Sequence, residues 1–175
     1  MLEFITDRQI YEKVICERIP KAGRFIWLAT ADLKDLYVDK QSKMVPFLEM
    51  LSVLAAKNVE IRLLHAKEPG AAFRRDFDKY PNLIKGMERI LCPRVHFKSV
   101  VIDGEFAYTG SANLTGAGMG AKSAERRNFE AGIITDDTEI IGRIMDQIDE
   151  IWRGEHCRQC KRKKFCADYK DLLLH

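Results

Sequence analysis

The sequence predicts an α/β fold in which a mixed β-sheet is sandwiched between helices. Three observations carry this reading. In the first half of the chain, segments with apolar residues at helical spacing alternate with short apolar runs of strand length. In the second half, two strand-like runs flank Asp103-Gly104, a dipeptide favoured in tight hairpin turns. A composition of 46% hydrophobic and 31% charged residues over 175 positions describes a soluble globular chain with enough length to bury a core. Alternating helices and strands favour parallel pairing, whereas a hairpin imposes antiparallel pairing, so the sheet should be mixed.

The elements follow in order. Ile10, Val14, Ile15 and Ile19 suit an amphipathic helix over 7–19, ended by Pro20 and Gly23. RFIWLAT, 24–30, reads as a buried strand. Val45, Leu48, Leu51, Val53 and Leu54 give a second helix over 44–57, and VEIRLL, 59–64, a second strand. The pattern over 69–90 is weaker and reads as helical in pieces, broken near Pro81. Strands are predicted over 94–103, 105–109 and 129–135. A closing helix over 140–152 carries Ile141, Ile144, Ile148, Ile151 and Trp152 on its apolar side. No internal repeat interrupts this order, and a change in composition divides the chain into a main domain, 1–153, and a Cys-rich basic appendage, 154–175.

Charge and targeting signals narrow the function classes. The net charge is only +3, which permits a polyanionic partner without requiring one. Positive charge concentrates at Arg158, Lys161, Arg162, Lys163 and Lys164, with smaller pairs at Arg74-Arg75 and Arg126-Arg127. A solvated face and a phosphate-binding patch both fit such runs. No signal peptide or membrane-spanning apolar run is visible, so a cytosolic protein without stable membrane association is expected. Five cysteines in a cytosolic chain are unsuited to a disulfide framework, and Cys16 and Cys92 lie in apolar surroundings as expected of buried thiols.

The chemistry concentrates in RVHFKSVVIDGEFAYTGSANLTGAG and the following RRNFEAGII. On an extended chain His96 and Lys98 project together while Val95 and Phe97 face the other way. Two such polar groups on a buried strand are costly unless an anion sits between them. Gly110-Ser111-Ala112-Asn113 adds small residues, a hydroxyl and an amide, so the parts present could hold a phosphate: a cation, hydrogen-bonding groups and an imidazole able to attack or to carry a proton.

This run resembles the HKD signature of the phospholipase D-like superfamily: His96, one residue, Lys98, four residues, Asp103, six residues, then Gly110-Ser111 and Asn113. Asn128 and Glu130 match the N-x-E element that follows it. The likeness covers about 26–151 and leaves the Cys-rich tail outside. It implies a phospholipase D/nuclease-like fold and a phosphodiesterase that needs no metal for catalysis. His96 would be the nucleophile that forms a phosphohistidine, or its partner that protonates the leaving oxygen. Lys98 and Asn113 would neutralise the nonbridging oxygens, Ser111 would orient the phosphate or the lysine, and Glu130 would hydrogen-bond an active-site imidazole. Asp103 belongs to the motif, but it lies past the face shared by His96 and Lys98, which favours a turn-stabilising role over catalysis. Arg126, Arg127 and His65 are candidates for substrate binding; a loop or core histidine is the competing reading of His65. The mechanism uses two histidines and the chain holds one motif, since His65, His156 and His175 lack the surrounding residues. A homodimer that brings two copies of His96 together is therefore expected.

The tail offers a second candidate site. Cys157, Cys160 and Cys166, with His156 beside them, supply a C-x2-C knuckle and two more donors for a structural metal, with zinc ahead of an iron–sulfur cluster and free thiols as the other outcome. The expected function is a small nuclease cleaving DNA or RNA. The alternatives are a phospholipase D or phosphatidyl-transferring enzyme, and a nucleic-acid-binding subunit without turnover.

Overall fold

The computed structural model describes residues 1–34, 36–40 and 43–169. His175 and the rest of 170–175 lie outside the described residues. A seven-stranded sheet runs in the order β1-β9-β8-β7-β2-β5-β6. Its strands are β1 (Leu2–Thr6), β2 (Phe25–Thr30), β5 (Glu60–His65), β6 (Met87–Leu91), β7 (Lys98–Ile102), β8 (Phe106–Gly110) and β9 (Ala131–Thr135). The segment β2, β5, β6 is parallel, while β7, β8, β9 and β1 are joined by antiparallel pairings and β7 is antiparallel to β2. A separate hairpin pairs β3 (Tyr37–Lys40) with β4 (Lys43–Pro46).

Helices cover both faces, as the apolar spacing predicts. α1 begins at Arg8–Ile10 and continues as a π-helical stretch, Tyr11–Arg18, and a 3₁₀ turn, Ile19–Lys21. Ile10, Val14, Ile15 and Ile19 from this helix, with Leu48, Leu51 and Leu54 of α2 (Phe47–Ala55), pack on Ile26, Leu28, Ile61, Leu63, Val100 and Tyr108. α5 (Thr138–Trp152) covers the opposite face, placing Ile141 and Ile148 against Ala29, Leu64, Val101 and Ala107. Asp137 starts this helix by accepting the N–H groups of Glu139 and Ile140, both at 3.0 Å.

Four expectations need correction. The strand β1 was not anticipated; it closes the sheet edge against β9. The helix expected from Met44 begins at Phe47, because Met44 and Val45 pair with Asp39 and Val38 and Pro46 cannot continue a hydrogen-bonded helix backward. The weak stretch over 69–90 resolves into α3 (Ala71–Phe77), α4 (Pro81–Gly86) and the strand β6. The strand expected from Arg94 is regular only from Lys98.

The Asp103-Gly104 turn forms as predicted, with φ of +57° and +71°. Asp103 also ties the turn to the start of β2: its carboxylate accepts the N–H groups of Gly23, Arg24 and Phe25, each at 2.8 Å. Partial burial alone would raise its pKa, but these three donors and the Arg24 charge outweigh it and hold the carboxyl below its ordinary value. Asp103 therefore stands at the far end of β7 from Lys98 and leaves the set of candidate catalytic residues. Asp103→Ala should lower stability by about 2 kcal/mol at neutral pH in urea denaturation, without changing turnover. Because the folded pKa is depressed, this contribution is full above the unfolded value near 4 and is lost as pH falls through the folded value. The gap between wild type and variant should accordingly close in acid.

Candidate active site

Five strand ends meet at one edge of the sheet: the start of β7, the ends of β8, β2 and β5, and the start of β9. In open α/β sheets, crevices at strand ends of this kind are the usual place for a ligand. Lys98 is the first residue of β7, buried at 6% exposure, and pairs with Gly110 of β8. His96 lies two residues earlier, exposed, on the extended lead-in to the strand. Val95 and Phe97 pack into the α5-side core, so the alternation expected of a strand persists outside the regular ladder. The Lys98 ammonium donates to the backbone carbonyl of His96 and lies 3.4 Å from its Nδ1. That contact orients the ring with Nδ1 toward the lysine, and Nε2 has no hydrogen bond among the described residues.

The segment after β8 supplies the opposing groups. Asn113 Oδ1 accepts the N–H groups of Ala31 and Asp32 at 3.2 and 3.1 Å and lies 3.3 Å from Thr30 Oγ1. With the carbonyl arm so occupied, the Nδ2 amine is the arm left to donate to a ligand. Thr30 is fully buried and also accepts the Leu114 N–H at 3.1 Å, which pins this loop to the end of β2. Beneath the loop lies Tyr108, whose hydroxyl takes the Ala112 N–H at 3.4 Å. Burial pushes the phenol up to about 12, the Ala112 bond opposes this and the nearby Glu130 charge adds to it, so Tyr108 is a neutral strut. Glycine is required at 110 and 132 for this packing: a Cβ would stand 2.5 Å from the Tyr108 hydroxyl at the first and 2.5 Å from its ring at the second.

Glu130 sits on the lead-in to β9. Its carboxylate takes hydrogen bonds from the Ser111 hydroxyl and, at 3.0 Å, from Asn128 Nδ2. Ser111 is thereby held by Glu130 and by the Ala131 N–H, which it accepts at 3.1 Å. The Glu130 backbone is bracketed by Asp7, which accepts its N–H at 2.8 Å and donates to its carbonyl at 2.9 Å. Within one chain, then, Glu130 contacts Ser111 and Asn128, and no hydrogen bond joins it to His96 among the described residues.

The structure brings His96, Lys98, Ser111, Asn113 and Glu130 to one edge. His65 ends β5 on the same side but is buried at 1% exposure, and its Nδ1–H donates to the Lys67 carbonyl at 2.9 Å. Burial foremost, with the Arg89 charge, lowers its pKa and keeps the ring neutral. Its place in this structure is that of a core histidine withdrawn from solvent. Arg126 is exposed and Arg127 half-buried in a turn where both backbone N–H groups bond to Ser123, immediately before Asn128. Thr30, Tyr108 and Asp7 were missed as supports because a threonine at a strand end, a core tyrosine and a helix-start aspartate carry no distinctive spacing. Phe129, between Asn128 and Glu130, is 96% exposed and was also overlooked as an aromatic surface.

The family described as the cardiolipin synthase, PLD-like domain matches residues 15–152. The chain belongs to the phospholipase D-like superfamily. Among solved structures, NucT from Helicobacter pylori superposes with a TM-score of 0.64 at 16% identity, covering 87% of this chain and 97% of that one. Nuc from Salmonella typhimurium, a phospholipase D family member, gives a TM-score of 0.64 at 13% identity over 87% and 94% of the two chains. The phosphatidylserine synthase of Haemophilus influenzae Rd KW20 gives 0.62 at 11% identity over 86% of this chain and 38% of that one. These are likenesses of fold, and they agree with the mixed sheet between helices. A search of curated protein sequences gives no match. No helix among the described residues is long and apolar enough to cross a membrane.

Proposed function

We propose that this phospholipase D-like protein is a metal-independent phosphodiesterase that cleaves nucleic acid as a homodimer. The observation that carries the reading is the buried Lys98 ammonium held against the exposed His96 imidazole, opposite an Asn113 amide whose carbonyl arm is already occupied. Attack uses the tautomer with its proton on Nδ1, which the second copy's Glu130 accepts in place of the Lys98 contact; His96 Nε2 then attacks phosphorus, a nitrogen–phosphorus bond forms, and the bond from phosphorus to the leaving oxygen breaks. The second copy's imidazolium protonates that oxygen. Water then attacks the phosphohistidine, gives its proton to the same second imidazole, and restores both rings. Lys98 and Asn113 Nδ2 meet the charge that develops on the nonbridging oxygens. Because Glu130 contacts Ser111 and Asn128 and not its own chain's His96, the imidazole it orients is the second copy's.

Nucleic acid is preferred because the chain is mildly basic and Phe129 offers an exposed face for a base next to the site. This chain also spans nearly the full length of NucT and Nuc, two structures of its fold. A lipid substrate is the second reading, favoured by the family description. Short assays in EDTA on single- and double-stranded DNA, RNA, phosphatidylcholine and cardiolipin test both. Cleavage of a nucleic acid that persists in EDTA, by a species near twice 20.2 kDa in size-exclusion chromatography, is the expected result. Turnover of lipid alone replaces the substrate, full activity in a strict monomer removes the shared site, and binding without turnover leaves a nucleic-acid-binding subunit.

A further inference from the structure

The C-terminal segment poses a physical problem. From 155 to 169 no side chain is fully buried; those withdrawn in part from solvent are Cys157, Cys160, Cys166 and Tyr169. A segment with no apolar core of its own is held by a staple or a metal when it is held at all. Yet it docks at a definite place, the end of the edge strand β6. Asp168 accepts the Leu91 N–H at 2.7 Å, Cys166 Sγ donates to the Leu91 carbonyl at 3.2 Å, and Arg162 donates to the Pro93 carbonyl at 3.2 Å.

At that place the three tail cysteines share a cavity of about 290 Å³ with a fourth, Cys92, which follows β6 directly. No disulfide links any of the four. The Cys157–Cys160 pair folds as a tight turn, with the Cys160 N–H on the Cys157 carbonyl at 3.0 Å and the Arg162 N–H on Cys160 Sγ at 3.4 Å. Backbone N–H bonds to sulfur of this kind stabilise a metal-bound thiolate. His156 borders the same cavity, but its Nε2 lies 3.2 Å from the Oε2 of Glu150, another lining residue that already engages it.

We propose that Cys92, Cys157, Cys160 and Cys166 form a four-thiolate metal centre that pins the tail to the sheet, with an iron–sulfur cluster as its occupant. This replaces His156 by Cys92 in the ligand set expected from sequence. Four thiolates suit either zinc or an iron–sulfur cluster. The choice between them rests on spacing: among the described residues no three His, Cys, Asp or Glu side chains converge as a single ion requires, and the thiols ring a void instead. The basic run Arg158, Lys161, Arg162, Lys163 and Lys164 then has a function, offsetting the negative charge of the thiolates.

The test is metal content of the full chain purified without oxygen, measured in wild type, Cys92→Ser, Cys160→Ser, His156→Ala and a Cys16→Ser control. Wild type, His156→Ala and Cys16→Ser should carry iron and sulfide at about four of each per chain, with broad absorption near 400 nm. Cys92→Ser and Cys160→Ser should lose roughly tenfold or more of the metal. Limited proteolysis should then release the tail from those two variants while the domain ending at α5 stays intact, which separates loss of the centre from loss of folding. Stoichiometric zinc with the same dependence on Cys92 would uphold the four-thiolate centre and overturn the cluster. Wild type without metal after reconstitution, or full metal in Cys92→Ser with loss in His156→Ala, would overturn the centre. None of these readings depends on turnover, so they stand or fall apart from the phosphodiesterase proposal.

Discussion

Replacing His96 with alanine should lower phosphodiester cleavage by about 10⁴-fold or more, because under the proposed mechanism one substitution removes both the nucleophile and the general acid from each dimer. The sharper experiment mixes the variant with wild type and lets the subunits exchange. If one phosphate needs both imidazoles, only dimers of two wild-type chains turn over. Activity per total protein then falls with the square of the wild-type fraction, to about a quarter in an equal mixture. If each chain works alone, the same mixture keeps about half. Circular dichroism should be unchanged, since His96 is exposed and contributes no side-chain packing to either core. A linear dependence on wild-type fraction would refute the shared site while leaving His96 essential.

Lys98→Met should lower kcat by about 10²–10³-fold, the scale of losing one preorganised group at a developing oxyanion, with KM changing far less. Methionine keeps the length and apolar stem of the lysine, so packing at the start of β7 is conserved and the charge is what disappears. Two effects combine here. On the proposed mechanism the ammonium would meet the phosphate oxygens, and in the structure it ties the His96 carbonyl and lies against the ring, so its loss would also free the imidazole. Lys98→Arg is not expected to rescue, because a planar fork cannot reproduce a compact cation at 6% exposure. Rescue by arginine to within a few fold would show that charge alone suffices.

Much of this site was legible in the sequence because its residues follow one another along a hairpin. His96, Lys98, Gly110, Ser111 and Asn113 are fixed in spacing by β7, the Asp103-Gly104 turn and β8, so the order of residues foretells which groups meet. The supports were not legible. Asp7 and Thr30 reach their partners, Glu130 and Asn113, across more than eighty positions, and no local pattern announces such contacts. The same holds for Cys92, which reads locally as one more buried thiol and acquires company only when the tail folds back to Leu91. Among the strands, β6 was missed because two of its five residues are exposed at a sheet edge, and β1 because a short amphipathic run beside a helix start has no distinct period.

The pairing of β1 with β9 has a bearing on how the protein is made. Thr6 pairs with Ala131, about 125 residues later in the chain, and the Asp7–Glu130 bracket lies just beyond that pairing. At a synthesis rate of roughly 5–20 residues per second, the first strand waits on the order of ten seconds for its partner. Meanwhile Leu2 and Phe4, still 63% and 68% exposed in the finished fold, stand beside an edge with open backbone groups. Closure of the sheet and completion of the candidate site are thus one late event, and a nascent chain released before residue 131 has neither.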